Sequence, residues 1–540
     1  MSKDAKTKLT TKEVHAAGRF NQSFTPYFDQ TYFPPKQVLD LYPEPDVSFP
    51  TPAFIEGQKA FTSQEQMMEF LENLAKDIDF MRLEIIGQTF EGRDIPMLVF
   101  TKSESEDSAD FKQKPTVWLQ AQIHGNEPAA GESALVIAYK LAKEELGTEL
   151  LNDLNIIIIP RMNPDSAYYF ERYSTRLLDG NRDHMNLHMP ELQAIHATFN
   201  RYLPEVVIDA HEYGATPTYH DVGEEGALKY HDVLLQSGKN LNIPKSIRDL
   251  SDEILIDSAF KALEKEGFSY DRYYTSETPE NEKPIIKEGG VDPGTGRNTF
   301  GLKPSLCILV ETMGIGVGRE MFLRRVAGQV VTHTAMLRAT KQHAAEIKQA
   351  VKQARMKIAE GGRKGDANDK IILASELKEV PNQTIKAVDI AKGEVIDIPV
   401  KYYSASDAYA TLERVRPNAY ILPPAYHHLA EKLIIQGAHV QKLAEAQELT
   451  VECYHVTDVA TKVDKDQIFR HVTTELVEKT IFFPKGSYVI SSAQAVGNIV
   501  SLALEPESSA SYVTNNFLPI MMGHEIPVYR LMKDFNFPLE

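Results

Sequence analysis

A histidine and a glutamate three residues apart, His124-Gly-Asn-Glu127, follow an apolar run too short for a core helix, Val117-Trp118-Leu119 with Ile123 further along. At the exit of a strand, an imidazole and a carboxylate at that spacing can reach one divalent cation from the same side. Alone the pair is a weak signal, because a packed loop histidine and a solvated glutamate are common. Three more apolar runs end in polar clusters: 154–164 in Asn163-Pro-Asp165, 204–214 in Asp209-Ala-His211-Glu212, and 305–314 in Glu311. Open α/β sheets bind ligands outside the carboxyl ends of their strands, so clusters far apart in sequence can converge on one crevice. His124, Glu127 and His211 would give zinc three protein ligands and leave a fourth position for water, as in catalytic rather than structural sites. Bound zinc brings the pKa of water down to about 7. A separate carboxylate must then take the proton and pass it to the leaving amine, and Glu311 is the candidate.

The elements that must position these groups follow from periodicity. Residues 1–59 are rich in proline and aromatics without a sustained period and read as an extended N-terminal arm lying over the next domain. A helix starts at Ser63, where Ser63 and Gln66 fit a capping box. MRLEIIGQTFEGRDIPMLVFTK reads as a hairpin turning at Glu91-Gly92-Arg93-Asp94. Helical spacing covers 131–144 and 190–202, and one long helix is expected over 318–360. The fold class expected is α/β: a mixed, mostly parallel central sheet flanked by helices over residues 60–360. GGRKGDANDK reads as a linker, and residues 366–540 as a smaller β-rich C-terminal α+β domain. That domain carries β-like runs (EVIDIPVKYY, YVISS) and a helix at 425–436 stopped by Gly437.

Composition excludes several classes. With 540 residues, 42% hydrophobic and 25% charged, the chain is ordinary for a globular protein of two or three domains. A net charge of −18 argues against a nucleic-acid partner. No apolar run approaches the roughly 20 residues that cross a bilayer. Cys307 and Cys453 make no disulfide framework. The opening MSKDAKTKLTTKEV has no apolar h-region, leaving a cytoplasmic reading for the chain as written and a periplasmic or secreted one if a leader has been removed. The absence of His-Glu-x-x-His sets aside the helix-based zinc proteases.

The ordered set His124-Gly-Asn-Glu127, Asn163-Pro-Asp165, Asp179-Gly-Asn181-Arg182-Asp183, Asp-Ala-His211-Glu212 and Val-Glu311-Thr resembles the carboxypeptidase A superfamily of zinc carboxypeptidases over residues 60 to 350. NRDHMNLHMPE and DAHEYG look like a bacterial branch of it, and RPNAYILPP and LEPESSASYV like a tail that some members carry. The resemblance implies that His124, Glu127 and His211 are zinc ligands and that Glu311 is the general base. It implies further that Asn181 and Arg182 bind the substrate's terminal carboxylate, which a guanidinium fork suits, and that Asp179 orients the first ligand histidine. A second arginine should polarise the scissile carbonyl; Arg176 is the first choice and Arg172 the reserve. Two departures stand out: Asp183 where the family has asparagine, and Glu212 after the second histidine, where many members have a small residue. The capping tyrosine is open among Tyr219, Tyr270, Tyr273 and Tyr274. His184, His188, His196 and His220 read as surface or hydrogen-bonded histidines.

Three functions are weighed. The leading one is a zinc metallocarboxypeptidase that binds one Zn2+ and cleaves the C-terminal bond of a peptide carrying a free carboxylate. The second is a zinc amidohydrolase acting on N-acyl amino acids or cell-wall peptides. The third, from another class, is a non-catalytic peptide-binding protein. The C-terminal region is read equally as a binding module, an oligomerisation surface, or a wall of the crevice that limits substrate length.

Overall fold

The computed structural model describes residues 30–540 apart from 77, 148, 365–366 and 465–466. Its centre is an eight-stranded sheet. In chain order the strands are β1 (Met81–Gln88), β2 (Asp94–Phe100), β3 (Thr116–Ala121), β4 (Asn155–Ile159), β5 (Val206–Gly214), β6 (Val233–Ser237), β7 (Tyr270–Arg272) and β8 (Leu306–Ile315). The spatial order is β1-β2-β4-β3-β5-β8-β6-β7. The four middle strands β4, β3, β5 and β8 run parallel, while β1, β2 and β6 each join an antiparallel pair. The sheet is therefore mixed, as the apolar runs and the β1–β2 hairpin imply.

Strand alternation divides the middle strands between two cores. Val117, Leu119, Ile156, Ile158, Val206, Ile208, Leu306 and Ile308 pack on one face. Trp118, Ile157, Ile159, Val207 and Cys307 pack on the other. Buried on both faces, such strands read as continuous apolar runs, and each fully buried isoleucine contributes about 1.5–3 kcal/mol. Helices α1 (Gln64–Ala75), α2 (Pro128–Ala142), α3 (Pro190–Tyr202), α4 (Gly296–Leu302), α5 (Phe322–Gln342) and α6 (Ala344–Lys364) cover the faces. The Ser63–Gln66 capping box is present at α1.

Three expectations need correction. The long helix over 318–360 is two, because His343 (φ −109°, ψ 22°) leaves the helical region between α5 and α6. The expected linker does not begin at Gly361, since α6 runs through Gly361 and Gly362 to Lys364. A Cβ at Gly362 would stand 2.3 Å from the Ser492 carbonyl oxygen, so glycine is there for close packing rather than as a break. Finally, a second sheet draws strands from both sides of residue 366: Ala227–Lys229, Lys370–Asp389, Glu394–Val415, Ile285–Glu288 and Tyr274–Glu277, in that order. The buried carboxylate of Glu288 accepts from the Tyr402 and Ser404 hydroxyls and from the N–H groups of Ala405 and Ser406, tying the two parts together.

A third, wholly antiparallel sheet of six strands between Ala419 and Leu531 completes the C-terminal region. Helix α7 (His427–Ile435) lies in it, followed by Gly437 at φ +96°. Residues 1–29 of the expected arm lie outside the described residues. Residues 30–59 form two short helical turns in otherwise irregular chain, anchored where Tyr42 Oη donates to the Tyr230 carbonyl (2.7 Å) and Phe54 stacks on Phe322.

Candidate active site

The chain leaves β3 through Gln122, whose φ of +53° turns it sharply, and enters α2 at Pro128. Between them lies His124-Gly-Asn-Glu127. Gly125 is required here: a Cβ would stand 1.9 Å from the Ser166 backbone. Proline at the first helical position leaves no orphaned donor and fixes Glu127 as the residue before the helix. His211 arrives from the second half of β5. Glu311 is its register partner on β8, so parallel pairing alone sets these two side by side.

The three expected ligands meet. His124 Nδ1 stands 2.7 Å from Glu127 Oε1, and His211 Nδ1 stands 2.9 Å from Glu127 Oε2. One donor atom from each of the three residues falls within a 4.8 Å span, and all three residues are buried. Each imidazole presents its other nitrogen to a second carboxylate: His124 Nε2 to Asp179 Oδ1 (3.1 Å) and His211 Nε2 to Asp209 Oδ2 (3.4 Å). Each Nδ1 lies at hydrogen-bond distance from Glu127, and with Nε2–H donated to the outer carboxylates both Nδ1 lone pairs become available to a cation that Glu127 shares; a nitrogen–nitrogen–oxygen donor set suits zinc. Burial raises the Glu127 carboxyl, but the two imidazoles outweigh it and hold it well below the usual carboxylate range.

Glu311 is 6% exposed, and its Oε2 has no partner among the described residues. Burial pushes its pKa up to about 7; Glu127 adds to the rise, and His211, His124 and Arg172 oppose it. Asp179 is driven the other way: burial raises it, but His124 and then Arg172 hold it well below the usual range. Asp179 also caps the 3-10 turn Gly180–Arg182, accepting from Asn181 N at 2.9 Å.

The arginines fall differently from the expected order. Arg176 is not at the centre: its guanidinium sits 4.2 Å over the Phe90 ring, and among the described residues it bonds to no member of the cluster. Arg172 stands there instead. Its Nε and Nη2 donate to Asp179 Oδ2 (3.2 and 3.0 Å), which brings Nη1 to 3.3 Å from His124 Nδ1 and 3.6 Å from Glu127 Oε1. Asn181 Oδ1 accepts from the Gly296 N–H at 2.8 Å, and Asn181 Nδ2 lies 3.4 Å from His211 Nε2. Arg182 is exposed, with Nη1 donating to the Asn181 carbonyl. Of the four tyrosines, Tyr219 and Tyr274 are buried under other contacts, whereas half-buried Tyr273 lies in the field of Glu311, Arg297, Arg172 and Arg182.

Both departures from the family pattern have structural work. Asp183 accepts from the His188 and Met189 N–H groups (3.0 and 2.8 Å), fixing the loop behind Arg182. Glu212 points to the opposite face from His211 and pairs with Arg325. His184 and His196 form a buried pair that Lys303 joins by donating to His196. Sequence reading did not give Asp209 a role, although a signal was available: Asp-x-His on a strand puts both side chains on one face. Asp209 is also held by Gln120, which Trp118 holds in turn.

A crevice of about 730 Å³ opens beside the site. Arg172, Asp179 and Arg182 line one side, and Lys462, Phe469 and Phe517 of the C-terminal region line the other. His188 stacks on Phe517 across it at 4.6 Å. Among the described residues, no helix is long and apolar enough to cross a membrane.

A family model described as zinc carboxypeptidase matches residues 67–219. Carboxypeptidase 2 of Trichophyton equinum is 30% identical over 485 residues, covering 88% of each chain, and Carboxypeptidase 2 of Trichophyton rubrum matches to the same extent. Among solved structures, the carboxypeptidase A of Helicoverpa armigera aligns over 53% of this chain and 75% of its own, with 17% identity and a TM-score of 0.40.

Proposed function

Since this chain belongs to the zinc carboxypeptidase family, and is a zinc-dependent peptide-bond hydrolase, we propose that His124, Glu127 and His211 hold the metal and that Glu311 is the general base. Zinc bound there supplies a Lewis acid that lowers the pKa of water to about 7. The rest is the work of the chain's own side chains. Arg182, with Asn181 beside it, binds the substrate's terminal carboxylate at the inner end of the crevice. Glu311 takes the proton of the attacking water on its unpartnered Oε2 and returns it to the leaving amine. Arg172, held by Asp179, aims Nη1 at the oxygen that gains charge, taking the role expected of Arg176. Asp179 and Asp209 keep each imidazole in the tautomer that turns Nδ1 inward.

The observation that carries this reading is the pairing of inward Nδ1 with outward Nε2–carboxylate at both histidines, beside a buried, elevated carboxyl at the register partner of His211. We also read residues 60–360 as the catalytic part and 366–540 as an accessory part that walls the crevice, with residues 1–59 as the arm. The lining by Lys462, Phe469 and Phe517 favours the wall reading of the tail.

The test is Glu311→Gln. The variant should keep its zinc and lose at least about 100-fold in kcat on a blocked dipeptide, the scale of a lost general base. Near-normal hydrolysis would remove Glu311 from the mechanism. A set of N-acyl amino acids run beside the peptides separates the amidohydrolase alternative.

A further inference from the structure

Two guanidiniums beside the site, Arg182 on the crevice wall and one buried behind it, have no carboxylate within ion-pair distance among the described residues. Arg182 is the exposed one, and the terminal carboxylate of a peptide would satisfy it. Arg297, at the start of α4, is the other, and it is only 5% exposed. Among the described residues its guanidinium makes one hydrogen bond, from Nη2 to the Gly290 carbonyl (3.0 Å), and its Nε is buried without a partner. Other buried or half-buried arginines around the sheet ends are satisfied: Arg172 by Asp179, Arg324 by Asp232, Arg325 by Glu212, and Arg161 by the oxygens of Gln122, Gln64 and Thr62.

Beside Arg297 lies Gln236 of β6, fully buried, with both amide atoms unpartnered among the described residues. The two meet at Gly289, where a Cβ would stand 3.0 Å from Arg297 Nη2, 3.2 Å from Gln236 Cγ and 2.9 Å from Tyr273 Cδ1. Tyr273, Arg182, Glu311 and Asp209 are the groups whose fields act on Arg297, so this cluster borders the reacting centre. Buried polar groups are ordinarily hydrogen-bonded and buried charges paired. A guanidinium and an amide left open together fit an anionic group brought by a ligand.

We propose that Arg297, with Gln236, receives a second carboxylate, that of the substrate's C-terminal side chain, so that the enzyme selects peptides ending in glutamate or aspartate. The inference rests on the proposed function, in which Arg182 takes the terminal carboxylate. The guanidinium fork meets the side-chain carboxylate with parallel N–H donors, and Gln236 Nε2 supplies a further one. A C-terminal leucine would leave the buried cation unpaired, and a lysine would set like charges together, so both are rejected.

The experiment measures kcat/KM of the zinc-loaded full chain on blocked dipeptides ending in Glu, Asp, Gln, Leu and Lys. Alongside it, calorimetric binding of the same peptides is measured with Glu311→Gln protein, each with and without Arg297→Gln and Arg297→Lys. A preference of about 100-fold or more for Glu over Gln, Leu and Lys is expected, on the scale of a lost charged contact. Arg297→Gln should abolish it by lowering the acidic substrates alone, and Arg297→Lys should recover part of it. A wild-type enzyme that cleaves Leu or Lys termini as well as Glu overturns the proposal, and so does an Arg297→Gln variant that loses all substrates equally. If no peptide is cleaved the hydrolase reading fails separately, and the binding series decides this one: equal affinity for Glu and Leu termini overturns it.

Discussion

Arg325→Met tests the scaffold behind the metal centre. Glu212 follows His211 on β5 and so faces the other side of the sheet, where it is 1% exposed. Its Oε2 accepts the Ala129 N–H at 2.8 Å, in the first turn of α2 directly after Glu127, and its Oε1 lies 2.8 Å from Arg325 Nε and 2.6 Å from Nη2. Glu212 thus links the strand carrying one proposed ligand to the helix that follows another. Methionine keeps much of the arginine's apolar stem but leaves a buried carboxylate with one N–H donor. Removing one partner of a buried pair costs about 3–5 kcal/mol; burial outweighs Arg325 and already lifts the pKa of the Glu212 carboxyl to about 7, so without Arg325 it meets part of that cost by taking up a proton. Adding Glu212→Gln removes that charge and keeps an acceptor for Ala129, so the double variant should be less destabilised than the sum of the singles by at least about 2 kcal/mol. Denaturant unfolding of the four proteins at pH 7.5 reads this directly. A cost below about 0.5 kcal/mol for Arg325→Met, or strict additivity, would refute the reasoning.

Two other outcomes are expected. Asp209→Asn should weaken zinc binding about 10- to 100-fold in a competition titration with a chelator, because Gln120 holds one oxygen at position 209 and the new amide NH2 then faces His211 Nε2 where the acceptor stood; unchanged affinity would show that this acceptor does not set the His211 tautomer. Glu191 is buried, with both carboxylate oxygens unpartnered among the described side chains, and burial lifts its pKa from 4.5 to about 7. Its stability contribution is then full below pH 4.5 and lost as pH rises through 7. Glu191→Gln should therefore gain on the wild type only at higher pH, by at most about 3.5 kcal/mol at pH 8 given about 1.4 kcal/mol per pH unit, and a pH-independent difference in unfolding free energy would contradict it.

The middle of the molecule was readable because its signals are local. Four buried strands announce themselves as unbroken apolar runs, and each ends in the polar residues that its own exit turn displays. What could not be read depends on contacts made at a distance. Choosing Arg172 over Arg176 needs Phe90, which draws Arg176 away, and Asp179, which holds Arg172 by two donors. The pairing of Ala227–Lys229 and Ile285–Glu288 with strands beyond residue 370 leaves no periodic trace, since register between distant segments is set by mutual burial. Arg297 gives no signal in GGVDPGTGRNTFG because a lone arginine in a glycine-rich loop is ordinarily solvated; only its burial beside Gln236 marks it.

The central claim is that His124, Glu127 and His211 hold one zinc. Elemental analysis of zinc per chain after exposure to zinc and removal of excess, joined to X-ray absorption at the zinc edge, addresses it for the wild type and for His124→Ala and His211→Ala. The expected result is one zinc per wild-type chain with two nitrogen ligands at about 2.0–2.1 Å, and loss of that zinc in each variant. A wild type that takes up none, or a His211→Ala variant that keeps a full equivalent in an unchanged ligand set, would contradict it.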